Sequence, residues 1–471
     1  MVGRRASPDS VNAGAALRNP EFLKLWTGQA ISMTGSQVSV LAIPLIAAVL
    51  LNAGPFELGL LRAAAFTPTL LLALPAGAWL DTVRRRPVMI AADVGRAGLL
   101  VLLPIAALAG VLRIEELYAI ALLVGGLSLL FDIAQSAWLP GAINTRKLVD
   151  ANSKLELSRW TVQVAGPALA GALVQVVGAP LAILADSASF LVSATLLSRI
   201  HVPEAHLSDA PRHGIALGDI QAGIRLVLQH PVLRALAGTA ALSNLFAYAQ
   251  SAVLLLYVVR DLHLEPTAFG VILAGFSLGG VSGSLCGARA AARLGQFGAI
   301  GLGVTLMAGG DSIVALANGP AAFAEITLGQ FVTGFGLPIC TISMLSLRQM
   351  LTPASMQGRM NAATRLVSWG AIPLGALLGG GVGETIGLHE TLITCAAGSL
   401  LVVAWVAPTL RPARKHTTIM PTNGRWVSGR LLHKRSLWSE PRIVARLRRP
   451  SLSRSDQLRS RSNFRRVSRS S

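Results

Sequence analysis

The chain has 471 residues, of which 52% are hydrophobic and only 13% charged, against about 25% charged in ordinary soluble domains. So little polar surface excludes a water-soluble fold of this size. Of the formal charge of +19, +15 sits at one end, since the stretch from Arg411 to Ser471 holds 17 Lys and Arg against 2 Asp and Glu.

Residues 1–21 are polar and basic, without the apolar core and small-residue cleavage site of a signal peptide, and are expected to form a cytoplasmic segment. Apolar blocks of about twenty residues follow, the length that spans a bilayer core. They predict helices over roughly 22–50, 56–80, 88–109, 115–139, 152–177 and 180–200, an N-terminal six-helix bundle covering 22–200. Residues 201–231 carry Pro203, Pro211 and the amphipathic run GDIQAGIRLVLQH, which reads as a cytoplasmic linker with a surface helix. A second set is predicted over roughly 232–259, 267–288, 296–318, 321–347, 357–383 and 388–408, a C-terminal bundle covering 232–410. The tail, 411–471, is too rich in Arg and Ser to form a core. It is expected to be disordered and drawn to anionic lipid. Its sparse aromatics give no nucleic-acid signature.

Arg84, Arg85, Arg86, Arg146, Lys147, Arg199, Arg212, Arg289, Arg293 and Arg359 fall in one set of loops, and only Arg113 and Arg260 in the opposite set. The positive-inside rule puts the first set, and both termini, in the cytoplasm of a multi-pass cell-membrane protein. The fifth and eleventh segments both begin with a polar Arg-containing turn and reach a mid-helix proline, Pro167 or Pro373. Two similar halves joined by a linker suggest a parallel repeat, as in many secondary transporters.

The loop after the second span reads GAWLDTVRRRP, Gly77 to Pro87. Gly77 would let two helices approach, and Asp81 beside Arg84, Arg85 and Arg86 could form a charge lock that holds one conformation. The alternative is a simple positive-inside anchor. Gly275, Gly279, Gly283 and Gly287 recur every four residues and predict close packing by a neighbouring helix. The GGGVG run at 379–383 has no preceding strand and no following lysine, so it is no phosphate loop. Cys286, Cys340 and Cys395 lack disulfide or metal spacing and read as small packing residues. No GxxxxGK[ST] is present, which points to an ion gradient as the energy source.

The 77–87 loop resembles the signature of the major facilitator superfamily, Gly-x-x-x-Asp-Arg-x-x-Arg-Arg, with Thr82 where arginine is usual. Its second-half counterpart, Gly287 to Gly295, has Ala291 at the aspartate position. The stretch from Leu139 to Ala194 resembles the drug:proton antiporter-type branch that includes macrolide and siderophore exporters. Gly166, Pro167 and Gly171 are similar to the antiporter signature on the fifth helix. A proline kink with small packing residues is the other reading.

Charges inside the spans point to coupling, because mid-membrane charge usually faces a cavity or a partner. Asp132 lies near the middle of the fourth span, with Gln135 one turn on, and could carry a proton or hold a fixed ion pair. Asp186 and the Glu156/Arg159 pair are further candidates. Asp93 and Arg96, three apart, would satisfy each other. Arg62 sits in the outer part of the second span, and Asp311, Glu325 and Gln330 are cavity candidates in the second half.

The expectation is an all-α membrane protein with twelve transmembrane helices in two six-helix bundles, the major facilitator fold. It would be a monomeric, non-enzymatic secondary transporter without cofactor or metal, exporting amphiphilic small molecules in exchange for protons while in contact with membrane lipid. A siderophore exporter with a more charged lining, a lysophospholipid flippase and a non-transporting receptor or scaffold are the alternatives.

Overall fold

The computed structural model describes residues 19–80, 82–142, 148–201, 224–352, 356–413, 416–419 and 427–430. Eleven helical stretches among them are long and apolar enough to cross a membrane. One runs 50 residues from Thr267 to Leu316, about 75 Å at 1.5 Å per residue, more than twice a bilayer core of about 30 Å. It is two helices, because Gly295 interrupts it at φ 72°, a conformation that costs glycine little. The described residues therefore form twelve spanning helices. These are α1 Pro20–Leu45, α2 Pro55–Leu80, α3 Arg85–Leu108, α4 Ile114–Ala142, α5 Leu148–Val177 and α6 Ala179–Ser198, then α7 Pro231–Leu256, α8 (266–294), α9 (296–316), α10 Ala322–Leu351, α11 Gln357–Ile386 and α12 Leu388–Ala413.

Local sequence sets the starts and corners. Pro20, Pro180, Pro231 and Pro266 occupy first-turn positions, where a missing N–H costs nothing. The Asn19 side chain accepts from the Glu21 amide at 3.0 Å, and His230 accepts from the Leu233 amide at 3.3 Å. α1 ends in a π-helical turn, Ile46–Leu50, followed by Asn52 at φ 53°, and α7 ends in Tyr257–Asp261 followed by His263 at φ 52°. Gly110 and Gly178 turn the α3–α4 and α5–α6 corners at positive φ, and Gly319 and Gly387 turn α9–α10 and α11–α12. Counterparts stand 211 (263 − 52) or 209 (319 − 110 and 387 − 178) positions apart. A near-constant offset with the same helix order is the mark of a parallel repeat.

Within the first half, α1 packs on α5 and α6, α3 on α4 and α6, and α2 on α4. In the second half α7 packs on α11 and α12, and α8 and α9 on α10. The glycine row of α8 does what its spacing predicts. A Cβ on Gly275 would lie 3.1 Å from Thr327, and Cβ atoms on Gly279 and Gly283 would strike the Phe331 and Phe335 carbonyls of α10. The GGGVG glycines are also packing positions, with a Cβ on Gly380 reaching 2.6 Å from the Pro55 carbonyl oxygen and one on Gly383 2.8 Å from Val253. Cys340 and Cys395 are buried, but Cys286 is exposed on α8 rather than packed. Leu108, Val176 and Leu401 are 77%, 82% and 68% exposed, as expected of lipid-facing side chains.

The halves meet along α2–α11, α2–α7 and α5–α8, and they meet tightly at one end only. There a shared apolar cluster takes Ala47, Ala53 and Leu58 from the first half and Val253, Tyr257 and Phe269 from the second. Arg260 donates to the Ala48 and Ala53 carbonyls across the seam, both at 2.8 Å. The other two apolar clusters each stay within one half. Along α2 and α11 the contact is close toward this far end and open toward the linker end, the end at which residues 202–223 join the halves. A Cβ on Gly59 would strike the Ala376 carbonyl oxygen, one on Gly370 would first meet Leu70 at 3.5 Å, and one on Gly77 would meet nothing within 4 Å.

Three expectations need correction here. Gly77 does not support a close helix contact, because α2 and α11 splay apart at that end. The tail is not wholly without regular structure, since His416–Ile419 pairs antiparallel with Val427–Arg430. Asp311 does not face the central cavity. It is buried inside the second half, accepting from Thr333 at 3.0 Å and Ser399 at 2.7 Å. Asp81, residues 1–18, most of the linker with its expected surface helix, Arg146 and Lys147, and the remainder of the tail lie outside the described residues.

Candidate functional site

The splaying of the halves leaves a central cavity of about 1550 Å³, lined by α1, α2, α4, α5 and α6 on one side and α7, α10 and α11 on the other. Its blind end lies under the α2–α11 contact and its lining continues to the linker end, at Glu156, Arg159 and Asn361.

Asp132, Asp186, Glu156 and Arg159 all line it. Asp132 projects from α4 and is exposed to the cavity. Asp186 on α6 is 1% exposed and accepts from Ser36 at 3.3 Å, Ser39 at 2.5 Å and Ser189 at 3.2 Å. These neutral donors share its charge without cancelling it. Glu156 and Arg159 form an exposed 3.8 Å pair one turn apart on α5, too loose to be a strong contact. Gln29 of α1 donates to Gln135 of α4 at 3.1 Å, and both side chains line the cavity.

The organising charge is Arg96 on α3, which the three-residue spacing assigned only to Asp93. That pair forms, with Asp93 fully buried. Arg96 also donates to Ser128 of α4 at 3.3 Å and lies over the rings of Phe131 and Phe190, 4.7 and 4.1 Å from their centroids. These contacts set Arg96 beside the turn of α4 that carries Asp132 and the turn of α6 that carries Asp186, while Asp93 is the carboxylate it touches. Sequence gives Arg96 and Asp93 as neighbours on one helix. Only the packing of α3 against α4 and α6 brings the other two turns beside it.

Sequence reasoning passed over the second-half wall. Arg348 of α10 and Arg365 of α11 line it, and Arg365 lies over the Trp369 ring at 4.9 Å. Arg62 of α2 and Tyr248 of α7 also line the cavity, from opposite sides of the seam. Tyr248 in turn meets Phe66 edge-on at 5.4 Å. A lone arginine in a short polar turn carries no sequence signal that separates a cavity wall from a loop anchor.

The loop arginines hold the first half together. Arg86 donates to the Leu197 carbonyl at 2.9 Å and to the Ser198 carbonyl, capping the end of α6. Arg85 donates to the Ala137 carbonyl of α4 at 3.2 Å. Cations at helix C-termini neutralise the unpaired carbonyls there. Arg84 is exposed. On α5, a Cβ on Gly166 would strike Gln37 of α1, while Pro167 and Gly171 receive Gly270 of α8. The antiporter-like motif is therefore a packing site, and part of it lies on the seam between the halves.

Residues 11–433 match the transmembrane secretion effector family. The chain is 27% identical over 397 residues to the multidrug efflux pump Tap of Mycolicibacterium fortuitum, covering 80% of this chain and 93% of the pump. It is 23% identical over 355 residues to the uncharacterized MFS-type transporter YvqJ of Bacillus subtilis strain 168, covering 72% and 80%. Among solved structures, a bacterial homologue of the iron transporter ferroportin in the inward-facing state superposes with TM-score 0.69 at 18% identity, over 84% of this chain and 99% of the other. The outward-facing state of a bacterial ferroportin homologue gives 0.54 at 19% identity, over 82% and 98%.

Proposed function

We infer, from the premise that the chain belongs to the transmembrane secretion effector family of the major facilitator superfamily, that it exports amphiphilic small molecules in exchange for protons by alternating access. It is a multi-pass membrane transporter of the drug-efflux type. The direction, the proton and the amphiphilic substrate are our reading. The observation that carries it is a cavity closed at one end, lined by two carboxylates from different helices, Asp132 and Asp186, with Arg96 packed against Phe131 and Phe190 next to them.

The loop arginines lie at the linker end, which the positive-inside rule assigns to the cytoplasm. The cavity is then open to the inside, the state in which an exporter loads. Its apolar lining, with Phe66, Leu366 and Ile372, suits the body of an amphiphile. Protonating either carboxylate removes a negative charge near Arg96 and strengthens its hold on Asp93. Because these groups sit on α3, α4 and α6, a change in which pairs are made repacks helices rather than one side chain. A proton arriving from outside would favour the return of the empty carrier, and its release inside would ready the cavity for the next load.

The test is uphill export by the purified chain in proteoliposomes under an imposed pH gradient. Asp132→Asn and Asp186→Asn each mimic the protonated state. At least one is expected to abolish uphill export while leaving energy-independent exchange. If both variants pump uphill with an unchanged pH profile, proton coupling through this cavity is wrong.

A further inference from the structure

The two walls of the cavity carry different charge. Every carboxylate in the lining, Asp132, Glu156 and Asp186, belongs to the first half. Glu156 has Arg159 beside it and Asp186 three serines. Among the described residues the second-half wall contributes Arg348 and Arg365 and no carboxylate. Arg62 of α2 adds a third cation near the blind end.

Among the described residues neither Arg62 nor Arg348 is in an ion pair, and the Nε of Arg348 is buried without a hydrogen-bond partner. Arg365 has an aromatic face instead of an anion. A guanidinium in a low-dielectric pocket is costly unless an anion and hydrogen-bond acceptors compensate it. Its planar fork of donors suits carboxylate, sulfonate and phosphate oxygens. A wall built only for apolar compounds would have no use for these charges.

We propose that the second-half wall is an anion-binding surface and that the substrate is an amphiphilic organic anion, its acidic group held first by Arg348 and Arg365 of that wall and deeper in by Arg62 of α2, and its apolar body by the lining between them. This rests on the export reading above and names its substrate class. The work is then divided, with protons handled by the first-half carboxylates and the anion by the second-half arginines together with Arg62. The anionic group enters past Arg348, close to the end of α10, and can be drawn inward to Arg62 beneath the α2–α11 contact.

Three probes with one scaffold test it, namely pyrenebutyrate, pyrenebutanol and pyrenebutyl-trimethylammonium. Binding is measured by fluorescence to the full chain in nanodiscs of zwitterionic lipid. Pyrenebutyrate is expected to bind at least about tenfold tighter than pyrenebutanol, with the preference falling as salt rises. Arg62→Gln and Arg348→Gln should each bring the ratio toward one while leaving pyrenebutanol binding unchanged, which also shows that the cavity is intact. Arg348→Lys should restore part of it. Equal or tighter binding of the neutral or cationic probe overturns the proposal, as does a ratio that survives the double variant. Adding phosphatidylglycerol to the nanodisc separates a soluble anion from a lipid headgroup. Displacement of pyrenebutyrate by that lipid, with no export of the probe, assigns the wall to lipid and overturns the substrate class. Selective binding that depends on the arginines and resists the lipid, without export from inside-out vesicles, would refute the export reading and leave the anion surface standing.

Discussion

Gly380→Leu is expected to transfer access to the cavity from the linker end to the far end. A Cβ at Gly380 would stand 2.6 Å from the Pro55 carbonyl oxygen and 3.0 Å from the Phe56 Cα. Both are backbone atoms of α2, which cannot rotate away as a side chain would. Forcing extra atoms into such a contact costs about 1–3 kcal/mol. The cost falls on the state in which this end is closed and not on a state in which α2 and α11 have separated here. The equilibrium should therefore shift by roughly 5- to 150-fold toward the far-end-open form. Gly77→Leu should do the opposite. A Cβ at Gly77 meets nothing within 4 Å, so the substitution is free in the observed state and obstructs closure of the linker end. The assay is labelling of Val40→Cys, which lines the cavity and is 52% exposed, in a chain whose three native cysteines are replaced by alanine. With the linker end cytoplasmic, as proposed above, a membrane-impermeant maleimide reaches the far end in intact cells and the linker end in inside-out vesicles. The parent should label mainly in vesicles, Gly380→Leu should gain labelling in cells, and Gly77→Leu should lose what labelling cells give. An unchanged ratio for a normally inserted Gly380→Leu, or a shift of both variants in one direction, would refute the reasoning.

The α8–α10 contact should be similarly intolerant. Gly279→Ala places a methyl against the Phe331 carbonyl and should lower thermal stability in detergent by about 1–3 kcal/mol, with no change in which end is open. Asp311→Asn keeps an acceptor for Thr333 and Ser399 and should preserve both stability and uphill export. Loss of export with normal folding would make Asp311 part of the coupling machinery. His230 caps α7 through an acceptor nitrogen, and burial pushes its pKa below the ordinary histidine value. Its folded state therefore favours the neutral ring. The stability it supplies is complete above the unfolded value, about 6.5, and is lost as pH falls toward the folded one. Thermal unfolding against pH should show that loss between those two values, and His230→Asn, which caps without titrating, should remove the dependence. A parent profile flat below neutrality would exclude it.

The twelve spans and the two halves were legible in the sequence because each rests on local quantities. Apolar runs must match bilayer thickness, and the glycine row of α8 declares its neighbour's distance through its own spacing. A break between the helices expected over 267–288 and 296–318 was legible for the same reason, and the structure puts it at Gly295. Asp132 and Asp186 could also be found, because a carboxylate inside an apolar run needs an explanation wherever it lies. The cavity wall was not legible. Arg348 and Arg365 stand in polar turns near helix ends, where positive-inside anchoring accounts for them equally well. Only the placement of α10 and α11 around the cavity turns them toward the centre. Gly77 shows the same limit from the other side. Its residue type permits close packing, but whether a partner is there depends on the angle between two six-helix bodies. Arg96 pairs with Asp93 three residues away and packs on Phe131 and Phe190, 35 and 94 residues away in sequence. Sequence determines which groups are buried in the membrane. Which of them share a charge is decided by helix packing, because coulombic coupling depends on distance through space and the chain order does not fix that distance.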